Sequence, residues 1–272
     1  RRKRGFGGQE REKRVMRKPN SGKKKAAGTE ETFLIGKNTS FAVREAYKAL
    51  RTNVMFSLAG GDGGRIIGVT STEKGEGKST NALNLALSMA ETEKKILFLD
   101  CDMRLSVTAQ RVEVTASPGL SNVLVGMASL EEAVQKLEDS SLSIITAGDF
   151  PPNPAELLGS PQMEELCKTL REEYDYIIAD LPPVGVVADG TIASKFFDGV
   201  IFIVREGYSR SDLLKSAVRN LEFVGTRLLG FLYTGSEEKR KKRYGRYGKG
   251  YGYGYGYESY GTAYENRQAD MS

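Results

Sequence analysis

The chain has 272 residues, of which 39% are hydrophobic, and a formal net charge of +5. Its two cysteines, Cys101 and Cys167, lack metal-type spacing and histidine is absent, which argues against a disulfide framework and against a zinc site. The longest apolar run, GVIFIV, is far too short to cross a bilayer, and no signal-peptide pattern is present. We therefore expect a cytoplasmic chain.

Basic residues are concentrated at the two ends of the chain. Residues 1–25 hold twelve Lys or Arg against two Glu, and residues 237–272 hold eight against five acidic residues. Basic ends suit an anionic partner such as the inner membrane face or nucleic acid, but solvated termini are an equally good interpretation. The start at Arg1 leaves two origins open: RRKR could follow a transmembrane segment upstream, or Met16 could be the natural start.

The first predicted element is a helix over residues 40–58, with apolar residues at helical spacing and Ser40 as its cap. Six short runs follow that are apolar throughout, as expected for strands covered on both faces. These predicted strands are 65–70, 95–100, 141–146, 174–180, 198–204 and 228–233. Four main helices are predicted between them: one begins near Ser79, and the others span 161–173, 188–197 and 210–224. This alternation predicts an α/β fold with a doubly wound, mostly parallel sheet.

The chain divides into three predicted regions. Residues 1–36 are a basic N-terminal segment that we expect to be flexible, and residues 37–235 are one α/β domain. Residues 236–272 are a basic tail rich in tyrosine and glycine, and their lack of apolar periodicity predicts disorder. Eight of the thirteen tyrosines lie in this tail, at Tyr244, Tyr247, Tyr251, Tyr253, Tyr255, Tyr257, Tyr260 and Tyr264.

The segment GVTSTEKGEGKST joins the strand at 65–70 to the following helix. Its glycines allow backbone N–H groups to close on phosphate oxygens, and the helix N-terminus adds a favourable dipole. Lys78 can reach the β- and γ-phosphates of a nucleotide, and the Ser79 hydroxyl can bind Mg²⁺. Thr72 replaces the first glycine of the strict P-loop pattern. The candidate nucleotide-binding residues are Gly75, Glu76, Gly77, Lys78, Ser79 and Thr80.

Acidic residues end two further predicted strands. Asp100 and Asp102 belong to ILFLDCDMR, and Asp180 ends YIIAD in a Walker B pattern. A single aspartate at a strand end is usually a cap or turn residue. Three that converge beside a P-loop supply Mg²⁺ ligands and leave one carboxylate to take a proton. The sequence therefore predicts a site for ATP and Mg²⁺.

The order GEGKST, ILFLDCDMR and IIADLPP, followed by a tyrosine cluster, resembles the bacterial tyrosine kinases of capsule synthesis and polysaccharide export. The resemblance covers about residues 40–264 and implies a P-loop ATPase fold. The H-R-D and D-F-G motifs of eukaryotic-type kinases are missing. EAYKALR, residues 45–51, is similar to the family's ExxRxxR oligomerisation motif, with Lys48 in place of the first arginine. Lys74 stands where the family usually has proline.

The resemblance also implies roles for single residues. Lys78 and Ser79 would hold the phosphates and Mg²⁺, and Asp102 and Asp180 would organise the metal. Asp100 would accept or orient the incoming tyrosine hydroxyl.

Further implications concern charge and assembly. Arg104 would neutralise charge near the phosphates, and Glu45, Lys48 and Arg51 would form an oligomer interface. The implied partners are further copies in a ring, a transmembrane activator of the polysaccharide co-polymerase type, fused or separate, and a tyrosine phosphatase. No specific nucleic acid is implied, and the chain would work at the inner face of the cell membrane.

The expected function is therefore an ATP-dependent tyrosine autokinase that phosphorylates its own tail in trans within an oligomer and regulates capsule or exopolysaccharide synthesis. The main alternative is a non-kinase P-loop ATPase that cycles on a membrane or on DNA, which the P-loop and the acidic strand ends barely exclude. A second alternative is a tail that binds nucleic acid by stacking tyrosines on bases.

Overall fold

The computed structural model describes residues 34–36, 39–60, 63–138 and 140–235. The strands in these ranges are β1 (Arg65–Ser71), β2 (Ile96–Asp100), β3 (Gln135–Lys136), β4 (Leu142–Ile145), β5 (Tyr176–Asp180), β6 (Gly199–Arg205) and β7 (Leu228–Thr234). The helices are α1 (Phe41–Ser57), α2 (Lys78–Ala90), α3 (Thr108–Val112), α4 (Leu120–Leu124), α5 (Leu130–Ala133), α6 (Pro154–Leu158), α7 (Pro161–Glu173), α8 (Asp189–Ser194) and α9 (Ser211–Phe223).

The described strands form one sheet in the order β3-β4-β2-β5-β1-β6-β7, and every neighbouring pair is parallel except β3 with β4. This arrangement confirms the predicted doubly wound, mostly parallel fold. All six predicted strands are present, with ends shifted by one or two residues. The sequence pattern does not predict β3, because its two polar residues carry no apolar signal.

The five predicted helices are present as α1, α2, α7, α8 and α9. Helix α8 ends at Ser194, three residues before its predicted end. The helices α3 to α6 are not predicted by the sequence pattern, since four or five residues are too few to show a helical apolar repeat.

Two apolar layers hold the sheet from opposite sides. Consecutive strand residues alternate between them, so that Ile67 packs in one layer with residues of α1 and α2. Ile66 packs in the other layer with residues of α7, α8 and α9. Because both faces are covered, the long strands are mainly apolar. Polar side chains are found instead at the carboxyl ends of the strands.

Polar contacts add to the apolar layer in anchoring the first helix to α2. The Ser40 hydroxyl accepts a bond from Val43 N at 3.4 Å, which confirms the predicted cap. Tyr47 Oη donates to Asn81 Oδ1 at 2.8 Å. The Arg51 guanidinium donates to the Ser88 carbonyl of α2. Val54 is the residue of α1 that is fully buried, so the predicted apolar stripe is only partly used.

Some predictions fall on residues that the structure does not describe. The first 33 residues and residues 236–272, which include all eight tail tyrosines, lie outside the described ranges. Among the residues that are described, no helix is both long enough and apolar enough to span a membrane.

Two glycines near α4 provide a matched test of packing. Gly148 and Gly126 both have left-handed φ angles, of +80° and +74°. A Cβ atom on Gly148 would lie 2.5 Å from Asn122 Oδ1 and from Ser121 Oγ, whereas one on Gly126 would meet nothing within 4 Å. We expect Gly126→Ala to lower the free energy of unfolding by about 1 kcal/mol and Gly148→Ala by roughly 2–4 kcal/mol. Equal losses in urea denaturation would contradict the packing argument.

Candidate active site

Residues 72–77 connect the end of β1 to the start of α2. Gly75 and Gly77 have φ angles of +89° and +95°, a backbone conformation that glycine adopts at low cost. Gly77 is the residue before α2, so the unpaired N–H groups of the first helical turn lie at this loop. Backbone donors at the start of a helix attract phosphate groups. The loop therefore has the geometry of the predicted P-loop.

Parallel pairing brings the three predicted acidic residues to one edge of the sheet. The register of β2 and β5 sets Asp100 opposite Asp180, and Asp102 follows two residues after Asp100. Lys78 Nζ lies 2.7 Å from Asp102 Oδ2 and 3.4 Å from Asp180 Oδ1. It also lies 3.1 Å from Ser79 Oγ. Three of the residues singled out in the sequence, Asp102, Asp180 and Ser79, therefore surround the ammonium group of a fourth, Lys78.

Lys78 and the three carboxylates are all buried, so negative charge exceeds positive charge in this cluster. Burial would lower the pKa of Lys78, but Asp180 and Asp102 outweigh burial and raise it. Burial and the nearby Asp180 raise the pKa of Asp100 to about 7. Burial likewise raises the pKa of Asp180. A buried excess of carboxylates is the environment that a divalent cation stabilises.

The oxygen atoms in this cluster fit Mg²⁺. No group of three or more His, Cys, Asp or Glu side chains in the described ranges forms a ready-made metal cage. Mg²⁺ in nucleotide sites needs fewer protein ligands, because it keeps several waters and shares phosphate oxygens. Asp102, Asp180 and Ser79 place two carboxylates and one hydroxyl around Lys78. These three side chains therefore suit a Mg²⁺ ion that binds together with the phosphates of a nucleotide.

Asp100 is held in place from two sides. Its Oδ2 atom accepts a bond from Ser106 Oγ at 2.6 Å, and its Oδ1 atom accepts one from Asp102 N at 3.0 Å. Asp100 is 0% exposed, whereas Ser106 is exposed. Sequence reasoning missed Ser106, because a serine in a loop after a strand gives no signal of its own.

Arg104 has a partner that the sequence does not reveal. Its Nε atom lies 2.6 Å from Asp189 Oδ2, and its Nη2 atom lies 3.2 Å from Asp189 Oδ1. Asp189 is the buried first residue of α8, so this bidentate pair ties the loop after β2 to the start of α8. The hydrogen bond to Asp189 raises the pKa of Arg104. The role of Arg104 near phosphate remains a prediction.

Glu76 and Thr80 turn their side chains towards the protein. Glu76 Oε2 accepts a bond from Glu73 N at 2.8 Å, and Ser209 Oγ donates to Glu76 Oε1. Thr80 Oγ1 accepts a bond from Arg111 Nη1 at 2.5 Å. In this arrangement the backbone of these two predicted nucleotide-binding residues, not their side chains, is left for a ligand.

Comparisons with known proteins show which enzyme family this chain belongs to. The family described as "AAA domain" matches residues 64–209. The chain is 35% identical over 204 residues to the tyrosine-protein kinase YwqD of Bacillus subtilis, covering 75% of this chain and 86% of that protein. The chain belongs to the bacterial tyrosine kinases. The kinase domain of the Escherichia coli tyrosine kinase ETK matches with a TM-score of 0.69 and 28% identity, over 77% of this chain and 80% of that one.

Membership of this family confirms the predicted resemblance, the kinase activity and the P-loop fold. The kinase is also 32% identical over 200 residues to the tyrosine-protein kinase ptk of Acinetobacter johnsonii. That match covers 74% of this chain but only 27% of ptk, so the matching region is one part of a longer chain there.

Removal of Lys78 should destabilise the kinase in the absence of Mg²⁺ and nucleotide. Lys78→Met leaves three buried carboxylates without their cation, which costs roughly 3–5 kcal/mol of unfolding free energy. In the double variant Lys78→Met with Asp102→Asn, one of those charges is removed, so part of the loss should be recovered. Thermal or urea denaturation measures both. Equal stability of the single and double variants would contradict strong repulsion in the cluster.

The Arg104–Asp189 pair should respond asymmetrically to mutation. Arg104→Ala leaves the buried Asp189 carboxylate unpaired, at a cost of about 1–3 kcal/mol. Asp189→Asn leaves a partly exposed guanidinium that water can solvate, so we expect a loss below about 1 kcal/mol. Urea denaturation of both variants tests this order. A larger loss for Asp189→Asn would show that Asp189 supports α8 independently of Arg104.

Proposed function

We propose that this kinase is an autokinase that transfers the γ-phosphoryl group of ATP to tyrosines of its own tail, with one copy acting on another. The observation that carries the proposal is the Lys78 ammonium held between Asp102 and Asp180 at the P-loop, with Asp100 beside them. A P-loop, one buried cation and three carboxylates supply what phosphoryl transfer requires. The eight tyrosines between 244 and 264 supply the acceptors.

In this mechanism Lys78 and the backbone N–H groups of the P-loop bind the phosphates of ATP. Ser79, Asp102 and Asp180 would hold Mg²⁺, which would supply positive charge against the negative charge that develops during transfer. The bond from the tyrosine oxygen to the γ-phosphorus forms while the bond to the β-phosphate oxygen breaks, which releases ADP. The tyrosine proton passes to Asp100.

Access to Asp100 needs a rearrangement in this mechanism. Its carboxylate is fully buried behind the hydroxyl of Ser106, which donates to it at 2.6 Å. An incoming tyrosine hydroxyl would therefore have to displace Ser106 before it could contact Asp100. Arg104, fixed by Asp189, lies in the same loop and would stay in place to neutralise charge.

The three residues of the proposed oligomer interface on α1 differ in their exposure and contacts. Lys48 Nζ lies 2.8 Å from Glu45 Oε1, and both side chains are partly exposed. Arg51 is only 17% exposed, donates to the Ser88 carbonyl and lies 3.5 Å from Glu91. We therefore propose that Glu45 and Lys48 contact a neighbouring copy. Arg51 instead holds α1 against α2, and only its small exposed part would contact that copy.

The proposed setting is the inner face of the cell membrane. There the kinase would respond to a transmembrane activator of the polysaccharide co-polymerase type, and a tyrosine phosphatase would reset the tail. Phosphorylation would regulate the synthesis and export of a capsule or exopolysaccharide. These proposals rest on the resemblance to the family and on the basic ends of the chain.

Two full-length variants test transfer between copies. The donor keeps its site but has all eight tail tyrosines changed to phenylalanine. The acceptor keeps its tail but combines Lys78→Met with Asp102→Asn, which removes the Lys78 ammonium while limiting the destabilisation of its buried carboxylates. We expect mass spectrometry to find phosphotyrosine on the acceptor's tail after incubation with ATP and Mg²⁺, with and without the cytoplasmic segment of a candidate activator.

Each variant alone is the control and should gain no phosphate on the tail. Phosphate on the wild-type tail, but none on the acceptor in the mixture, would show that each copy modifies only itself. ATP hydrolysis without phosphotyrosine in any mixture would support the alternative of an ATPase that cycles on a membrane or on DNA.

A further inference from the structure

Side chains at the end of β6 and in the connection after it form hydrogen bonds to the P-loop. Arg205 Nη1 donates to the Gly75 carbonyl at 2.7 Å, and Tyr208 Oη donates to the Lys74 carbonyl at 2.9 Å. Ser209 adds the contact to Glu76. The last residue of β6 and two residues of the connection after it thus bond to three consecutive residues of the P-loop.

The ring of Tyr208 is held in one orientation but remains half exposed. Its hydroxyl is fixed on the P-loop, and the Arg205 guanidinium lies 5.5 Å from its ring centroid, a cation–π contact. Tyr208 is nevertheless 49% exposed. An aromatic ring that is oriented in advance loses little entropy when a flat partner stacks on it.

The position of this ring relative to the carboxylates is fixed by the order of the strands. The carboxylates Asp102 and Asp180 follow or end β2 and β5, which lie on one side of β1. Tyr208 follows β6, which lies on the other side of β1. A nucleotide with its terminal phosphate at Lys78 would extend along the P-loop away from the carboxylates. Its base would then lie on the side of the sheet where Tyr208 lies.

We propose that the ring of Tyr208 stacks on the purine base of the bound nucleotide, with Arg205 supporting the ring. This inference rests on the proposed ATP site and assigns the part of that site that recognises the base. Stacking uses the π-face that every base has, so it provides affinity without choosing between adenine and guanine. The proposal therefore predicts similar Tyr208 effects on ADP and on GDP.

A purely structural role for Tyr208 predicts something different. If its hydroxyl only supports the P-loop, loss of the ring should weaken the binding of phosphate itself. Pyrophosphate separates the two roles, because it occupies the phosphate subsite and has no base. Tyr208→Phe separates them further, because it keeps the ring and removes only the hydroxyl.

Isothermal titration calorimetry of the full-length kinase with Mg²⁺ and either ADP, GDP or pyrophosphate tests the proposal. We expect Tyr208→Ala to weaken ADP and GDP each by roughly 5- to 100-fold, because stacking on one base contributes that much affinity. Pyrophosphate binding should change less than about twofold, and Tyr208→Phe should bind ADP nearly as tightly as wild type. Phe223→Ala, at an exposed aromatic residue on the far end of α9, is the matched control and should change nothing.

Equal weakening of ADP and pyrophosphate by Tyr208→Ala would overturn the stacking role and assign the ring to support of the loop. No effect on either ligand would also overturn it. Both results leave the kinase proposal standing, provided that the wild type binds ADP. A wild-type chain that binds neither ADP nor pyrophosphate would instead overturn the proposed ATP site, and the stacking role with it.

Discussion

The structure depends on one electrostatic constraint, the placement of three buried carboxylates around a single lysine. Parallel pairing of β2 with β5 forces Asp100 and Asp180 to lie side by side, whatever the helices do. Lys78 reaches them only because α2 starts directly at the end of the P-loop. The two apolar layers, which keep these strands in register from both faces, therefore maintain a charge arrangement that is costly without a ligand. A cation bound at the proposed site would therefore also stabilise the fold.

Much of this arrangement could be predicted from the sequence, because parallel topology converts strand order into proximity. Apolar runs gave the six long strands, and residues at their carboxyl ends had to share one edge of the sheet. The Arg104–Asp189 pair could not be predicted, since 85 residues separate its members and no sequence motif marks Asp189. Nor could the inward direction of Arg51, which depends on how α1 lies on α2.

The proposed nucleotide site would draw on elements from both halves of the sheet. The loops after β2 and β5 would supply the acidic side, and Arg104 with Asp189 ties the loop after β2 to the start of α8. The end of β6 and the connection after it contact Lys74, Gly75 and Glu76 and would supply the other side. The hydroxyl of Thr234, at the end of β7, lies 3.5 Å from the Glu76 carbonyl. The last described strand therefore ends beside the P-loop, and the tyrosine-rich tail follows it directly in sequence.

The burial of Asp100 has a consequence for the competition between tyrosine and water. In the proposed mechanism Asp100 is the base, and bulk solvent does not reach a carboxylate that is 0% exposed. The same burial would keep this base from activating a water molecule, so that ATP bound in the proposed site would be protected from wasteful hydrolysis. In the proposed mechanism, whether this kinase spends ATP on a tyrosine or on water would thus depend on which of them displaces the hydroxyl of Ser106.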